Sequence, residues 1–189
     1  MSTDERRVML VDIVEKLNRA NSFSGETHIQ KAVYFLVDML RVDLGFSFVL
    51  YKYGPFSFDL RSELLYLESV GVLERRESES TGSHFSPGRN SASFKSLTKA
   101  DTAMYQGQIN WIIEQFFGEG HTVAQLEKEA TALFALKHFE GDEEAKAEKI
   151  NQVKPHISVA DAQEDIHRIH QLLEVARDEH ETASAQPEW

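Results

Sequence analysis

The segment Phe46–Tyr53 restricts the fold most, because it is dense in aromatic and β-branched residues, which favour strands. Gly54-Pro55 follows directly. Proline fixes its own φ and restricts the residue before it, so the chain must turn there. Residues 5–20 and Leu60–Val70, on either side, have the apolar spacing of amphipathic helices. A strand between helices predicts an α+β fold.

Two helix starts in this region carry capping signals. Thr27 and Gln30 have the spacing of a capping box, in which each side chain satisfies an unpaired backbone N–H of the first turn. Ser57 or Asp59 can cap the leucine-rich helix that follows the Gly-Pro turn. These signals predict one helix that begins at Thr27 and another that begins soon after Ser57 or Asp59.

A β-hairpin is predicted after the third helix. Val72–Arg76 starts a strand, residues 77–93 are polar and rich in turn residues, and Ser93–Leu97 alternates as a returning strand would. Three helices, a strand and a two-stranded hairpin in this order are typical of the winged helix. We therefore predict a winged-helix-like N-terminal domain over residues 1–98.

Residues 99–182 have helical spacing throughout and are predicted to form a C-terminal all-α helical bundle. Thr122 and Gln125 are predicted to form a capping box at the start of a helix, Pro155 to follow a short charged helix, and Ser158 to cap the last helix. Residues 183–189 are predicted to be a disordered tail.

The charge of the chain is unevenly distributed. Its 189 residues carry a formal net charge of −11, of which residues 1–98 contribute −1 and residues 99–189 contribute −10. A chain this acidic repels the phosphate backbone at long range unless its cations cluster on one face, so non-specific nucleic-acid binding is disfavoured. Seven acidic residues of the second half are interpreted mostly as a solvated helix surface, with a partner-docking arm or a mimic of nucleic-acid charge as the alternative. They are Glu127, Glu129, Glu140, Asp142, Glu143, Glu144 and Glu148.

Composition excludes several classes of protein. The chain has no cysteine, so disulfides, zinc fingers, iron–sulfur clusters and thiol nucleophiles are excluded. Met1–Arg7 is polar and lacks the apolar region of a secretory signal. The most apolar segment, residues 32–42, is interrupted by Asp38 and Arg41. We expect a cytoplasmic protein that does not contact a membrane.

One stretch resembles a bacterial family. Gln30-Lys31 opens a helix that continues into Tyr34-Phe35-Leu36, and Tyr53-Gly54-Pro55-Phe56-Ser57 precedes a leucine-rich helix. This pattern resembles the YwgA-like proteins and, more distantly, the Panacea family of SocA-like antitoxins and phage-associated proteins. The resemblance implies an interaction module of bacterial or phage conflict systems. It implies no catalytic residues.

The Tyr-Gly-Pro turn is the candidate partner-binding site. A strand alternates its faces, so Tyr51, Lys52 and Tyr53 cannot all be buried. Burial in the core is the simpler interpretation of most aromatic residues nearby. The residues that we expect to line a partner groove are Tyr51, Tyr53, Gly54, Pro55 and Phe56.

Nucleic-acid contact is the alternative. Arg75, Arg76, Arg89 and Lys95 are the candidate phosphate contacts around the predicted hairpin. The helix before it, which reads bases in a winged helix, carries three acidic residues and one arginine. Specific base readout is therefore disfavoured.

Catalytic and metal motifs are weak. His167, His170 and Glu174 fall on one face of the last helix, but no HExxH motif accompanies them. No P-loop, GxGxxG or GxSxG motif is present. We expect no metal, no cofactor and no enzymatic activity.

These observations lead to one functional hypothesis and two alternatives. The hypothesis is a non-enzymatic protein-interaction adaptor or antitoxin-like subunit of a bacterial or phage defence system. Its partner would be a toxin, a nuclease or another defence subunit, and the C-terminal helices could form a homodimer. The first alternative is a winged-helix transcriptional regulator, and the weaker second one is a hydrolase or metal protein built around His167 and His170.

Overall fold

The computed structural model describes residues 1–20, 24–78, 82–98, 100–118 and 121–184. Within them lie helices α1 (Thr3–Arg19), α2 (Glu26–Asp38), α3 (Phe58–Ser69), α4 (Ser91–Thr98), α5 (Gln106–Phe116), α6 (Val123–His138), α7 (Glu143–Val153) and α8 (Val159–Ser184). The strands are β1 (Val49–Tyr51), β2 (Gly54–Phe56), β3 (Leu73–Ser78) and β4 (Gly82–Pro87). A 3₁₀ turn over Ala103–Tyr105 precedes α5. The fold is α+β and mostly helical, with two small sheets.

One hydrophobic core runs through both predicted parts of the chain. Its buried residues extend from Met9 in α1 to Ala176 in α8. Helix α2 lies against α1, α5, α6 and β2. Phe35 of α2 stacks on Phe116 of α5 with ring centroids 3.8 Å apart. Residues on both sides of the boundary predicted at residue 98 therefore share this core.

Helix α6 is covered on several sides, which corrects part of the charge interpretation. It contacts α2, β2, α7 and α8. Three of its alanines are fully buried: Ala130, Ala132 and Ala135. Small side chains let neighbouring elements approach closely enough to enclose the helix. Glu127 and Glu129 are therefore buried, at 7% and 1% exposure, and their prediction as solvated residues is wrong.

Three predicted helix caps are confirmed. The Ser57 hydroxyl accepts a hydrogen bond from the backbone N–H of Leu60, 3.3 Å away, at the start of α3. Thr122 caps α6 through the backbone N–H of Gln125, which is the half of the predicted capping box that the structure shows. The Ser158 hydroxyl accepts from a backbone N–H in the first turn of α8. Each bond satisfies a donor that the helix leaves unpaired.

Strands β1 and β2 form a short antiparallel hairpin. Val49 pairs with Phe56 and Tyr51 pairs with Gly54, so Lys52 and Tyr53 form the turn. The strand predicted over residues 46–53 is therefore shorter than expected. It pairs with the segment that begins at Gly54-Pro55, where the sequence predicted only a turn at the end of the strand.

The second hairpin differs from the prediction. Strand β3 pairs with β4 from Leu73–Pro87 to Ser78–Gly82. The prediction that Ser93–Leu97 forms the returning strand is wrong, because these residues belong to α4. Phe85 of β4 is buried and belongs to the hydrophobic core. Lys95 therefore lies on a helix and not on a hairpin strand.

None of the helices in the described ranges is both long enough and apolar enough to cross a membrane. Helix α8 continues to Ser184. The rest of the predicted tail, residues 185–189, lies outside the described residues.

We expect Gly88→Ala to destabilise the protein. A Cβ atom at Gly88 would lie 2.4 Å from the carbonyl oxygen of Gly71 and 3.1 Å from the carbonyl carbon of Leu73, so backbone must move. Overpacking of this kind lowers the free energy of unfolding by about 1–3 kcal/mol, measurable by urea denaturation. Gly107→Ala in α5 is the matched control, since nothing lies within 4 Å of its Cβ position. Equal stability of the wild type and Gly88→Ala would contradict this packing.

Candidate partner-binding site

Helix α2 holds the end of strand β2 through Gln30. The side-chain amide of Gln30 donates to the carbonyl oxygen of Ser57, and its amide oxygen accepts from the backbone N–H of Ser57, both at 2.9 Å. Gln30 is fully buried, so these bonds replace those that water would make. The predicted capping box of Thr27 and Gln30 is wrong. Helix α2 begins at Glu26, with Gly25 at the N-cap position and no side-chain cap.

Lys31 runs beneath the turn of the hairpin. Its Nζ atom donates to the carbonyl oxygen of Pro55 at 2.8 Å, and the residue is 1% exposed. Gly54 has a φ of +79°, and a Cβ atom there would lie 3.3 Å from Cε of Lys31 and 3.2 Å from Oγ1 of Thr131. Glycine at position 54 therefore provides both the left-handed backbone and the close approach of α2 and α6.

The second half of the chain supplies the other support for the turn. Lys154, which follows α7, donates to the backbone carbonyl of Lys52 and lies 2.8 Å from Oε1 of Glu127. Nε2 of His156 lies 3.1 Å from the same carboxylate oxygen. Glu127 and Lys154 are both buried. Removal of either partner would leave an unpaired charge away from water, which is strongly destabilising.

Burial changes the protonation of Lys31. It lowers the pKa of the Lys31 ammonium to about 7, because a charged group loses its hydration there. The Glu127 carboxylate acts against this shift, and the Lys154 ammonium adds to it. At neutral pH the Lys31 side chain is therefore about half protonated.

The hairpin and the start of α3 present an aromatic surface, formed by Tyr51, Tyr53, Phe56 and Phe58. Tyr51, Tyr53 and Phe58 are each about half exposed. The rings of Tyr51, Phe56 and Phe58 have centroids 5.0, 5.5 and 5.7 Å apart. This is the range in which aromatic rings attract one another, so the three rings form one cluster.

The five predicted partner-binding residues lie in different environments. Tyr51 and Tyr53 are exposed, Phe56 is half-buried, and Gly54 and Pro55 are buried. Pro55 contributes its carbonyl group to Lys31, and its buried ring is not available to a partner.

A cavity of about 230 Å³ opens beside the aromatic surface. Tyr51, Tyr53 and Phe56 form part of its lining, together with Gln30 and Lys31. The lining of the cavity thus contains both the exposed rings and the buried polar groups that hold the turn. Four of the five predicted partner-binding residues, all except Pro55, line this one space.

Lys31, Glu127 and Lys154 were not predicted as site residues. A lysine inside the apolar run Ile29–Leu36 is the signal that could have identified Lys31, because a lysine is almost never buried without a specific partner. Glu127 and Lys154 had no local signal. Their partners lie far away in the sequence.

Three of the four candidate phosphate contacts are in ion pairs. Arg75 binds the carboxylate of Glu68 through two nitrogen atoms, at 3.1 and 3.0 Å, and stacks over the ring of Phe85. Arg76 lies 3.5 Å from Glu74. Lys95 contacts Asp12 and lies 3.2 Å from Glu15. Arg89 is exposed and has no ion pair within the described part of the chain.

His167 and His170 of α8 line a wider cavity of about 630 Å³, at which α6, α8 and the end of α2 meet. His167, His170 and Glu174 all belong to its lining. Nδ1 of His170 lies 2.5 Å from Oε1 of Glu143. Among the residues that the structure describes, no group of three or more His, Asp or Glu side chains is arranged to hold a metal ion.

No protein-family model, curated protein or solved structure matches this chain at a significant level. The functional interpretation therefore depends on the geometry of the chain itself.

We expect the free energy of unfolding to rise with pH between about 7 and 9.5. The pKa of Lys31 is lowered to about 7 in the folded chain, so in this interval the unfolded chain binds more protons. The slope contributed by one such group is at most about 1.4 kcal/mol per pH unit. Urea denaturation at several pH values measures it.

Lys31→Met should remove this rise, because methionine fills the same space without a titratable group. Lys149→Met, at an exposed position on α7, is the matched control and should retain it. A pH-independent wild type, or an equal slope in Lys31→Met, would show that the buried ammonium does not lose its proton in this range.

Proposed function

We propose that this chain is a non-enzymatic protein-interaction adaptor or antitoxin-like subunit that binds a partner protein through its aromatic surface. The observation that carries the proposal is a cluster of half-exposed rings on a hairpin that buried polar contacts hold in place. Large aromatic side chains at an interface contribute much of its binding energy. Because the hairpin is held in advance, little conformational freedom is lost on binding.

The exposed apolar area extends along α3. Phe58 and Leu65 are seven residues apart, so they lie on the same face of the helix, and each is about half exposed. Single exposed apolar residues are common on protein surfaces, but contiguous patches mark interaction sites. The aromatic surface and the outer face of α3 therefore favour a protein partner.

The pairing of the cations disfavours the transcriptional-regulator alternative. Arg61, the basic residue of α3, already lies 2.6 Å from a carboxylate oxygen of Glu26. Arg75, Arg76 and Lys95 are paired as well. A phosphate would have to displace these internal carboxylates, in a chain with a net charge of −11.

The wider setting is part of the same proposal. The winged-helix-like description of residues 1–98 is supported by the order of α1, α2 and α3 followed by the β3–β4 hairpin. The resemblance to the YwgA-like and Panacea proteins suggests a bacterial or phage conflict system, with a toxin or nuclease as partner. Homodimerisation through the C-terminal helices is a separate prediction.

Affinity purification of the tagged full chain from its native cells tests the proposal. Replacement of Tyr51 and Tyr53 together by serine should reduce the recovered partner at least tenfold, because both rings leave the interface. Leu97→Ser on α4 is the matched control, since Leu97 is 80% exposed and lies outside the aromatic surface. The purified partner must then bind the purified chain with the same dependence on the two tyrosines.

A gel-shift titration against genomic DNA fragments at two salt concentrations tests the alternative. The proposal predicts weak binding, unaffected by Arg75→Glu and Arg76→Glu. Tight DNA binding that falls steeply with salt and is lost in these variants would contradict the proposal. Partner binding that is unchanged by the replacement of Tyr51 and Tyr53 would contradict it as well.

A further inference from the structure

The buried groups beneath the hairpin carry an excess positive charge. Lys31 and Lys154 are two buried lysines, and Glu127 is the buried carboxylate that interacts with both of them. Glu127 is 2.8 Å from Lys154 and 3.1 Å from His156, so it already has partners. Among the described residues, no carboxylate forms a direct ion pair with Lys31, and the Glu127 carboxylate that acts on it electrostatically is shared with Lys154. Lys31 therefore lacks a counter-ion of its own.

The hydrogen bonding of Lys31 is incomplete. An ammonium group has three donors. Among the described residues, Lys31 Nζ has one hydrogen-bond acceptor, the carbonyl oxygen of Pro55. Lys31 is 99% buried and also lines the cavity beside the aromatic surface. An acceptor that entered the cavity would lie beside a side chain that has unused donors.

The cavity as a whole favours an anion. Its lining includes three basic residues, Lys31, Lys52 and Arg61, and one acidic residue, Glu26. Glu26 is paired with Arg61. This local excess of positive charge contrasts with the net charge of −11 of the chain. A local excess of positive charge attracts an acidic group and orients it.

The size of the cavity restricts what can enter. A volume of about 230 Å³ is smaller than the roughly 300–1,000 Å³ of pockets that take drug-sized ligands. One side chain of a partner fits a space of this order. The rings of Tyr51, Tyr53 and Phe56 offer apolar walls to its aliphatic part.

We propose that the cavity receives an aspartate or glutamate side chain of the partner protein, with its carboxylate against Lys31 and its methylene groups against the aromatic rings. This inference rests on the proposed function, since it names the chemistry that the docking surface recognises. An acidic side chain would supply a direct ion pair and a further hydrogen-bond acceptor for Lys31.

The protonation of Lys31 predicts that the affinity for an acidic side chain depends on pH. Glu127 faces Lys31 from α6, Lys154 from the segment after α7, and His28 from α2 itself. Lys52, Arg61 and Glu26 lie around the cavity. A bound carboxylate favours the ammonium form, so the complex takes up a proton when it forms above pH 7. Affinity should therefore fall as the pH rises from 7, by up to about tenfold per pH unit.

A positional-scanning peptide library, acetylated and amidated at its ends, tests the inference on the full chain. At pH 6.5 we expect selected peptides to share an aspartate or glutamate at one position. In fluorescence anisotropy, replacement of that glutamate by glutamine should weaken binding at least tenfold. The same replacement should change binding less than twofold in Lys31→Met, whereas Lys149→Met should behave as the wild type.

A second measurement avoids any variant that fails to fold. The preference of the wild type for the glutamate peptide over the glutamine peptide should decrease at least fivefold between pH 6.5 and 8.5. A preference that does not change with pH, or that persists in folded Lys31→Met, would overturn the inference. Binding only of peptides with a free C-terminal carboxylate would also overturn it, because the anion would then be a chain terminus.

Two further outcomes separate this inference from the proposed function. Selection of peptides without acidic residues, with binding lost when Tyr53 is replaced by serine, would overturn the acidic occupant and leave the docking surface in place. The absence of any binding peptide would count against the acidic occupant as well. In that case the purification experiment alone decides whether a partner binds the aromatic surface.

Discussion

The contact between two buried lysine side chains and the main chain of the hairpin organises the site. Lys31 binds the carbonyl of Pro55, and Lys154 binds the carbonyl of Lys52. A turn of a short two-stranded hairpin is marginally stable by itself. These two buried lysines define the position of the turn, because displacement would remove the acceptor of Lys31 and one of the two acceptors of Lys154. Glu127 supplies the compensating charge from α6.

This arrangement explains how a short hairpin can expose aromatic side chains. Exposed rings lower solubility and contribute nothing to the core, so they normally indicate an interaction. Here they stand on a turn that both halves of the chain support, and Gln30 secures the strand behind them. The acidic half of the chain therefore has a structural role in the site, through Glu127 and Lys154, besides its exposed carboxylates.

Local features of the fold could be predicted from the sequence. Apolar periodicity identified most helices, and Ser57, Thr122 and Ser158 were identified as caps, since a cap depends on residues three positions apart. The alternation of polar and apolar residues over Ser93–Leu97 led to the wrong prediction of a strand, because five residues are too few to distinguish a strand from a helix. Phe85, within the polar segment, is the residue that holds the returning strand to the core.

The site could be predicted only in part. Alternation predicted that Tyr51, Lys52 and Tyr53 could not all be buried, and all three are exposed, with Tyr53 in the turn rather than in the strand. The groups beneath them were not predicted. Glu127 was interpreted as a surface residue because its neighbours in sequence are charged, and only the packing of α6 against several elements buries it. The contact of Lys154 with Lys52 joins positions 102 residues apart, a distance at which no local pattern carries information.

Site-specific photo-cross-linking in native cells tests most directly whether the hairpin is a protein-docking surface. A photoreactive phenylalanine derivative would replace Tyr53 in one variant and Leu97 in another. The account predicts a discrete protein adduct at position 53, with none at position 97, and identification of the adduct by mass spectrometry as one partner. Adducts of position 53 with nucleic acid would contradict the account. The absence of a protein adduct at position 53, in cells from which a partner co-purifies with the chain, would also contradict it.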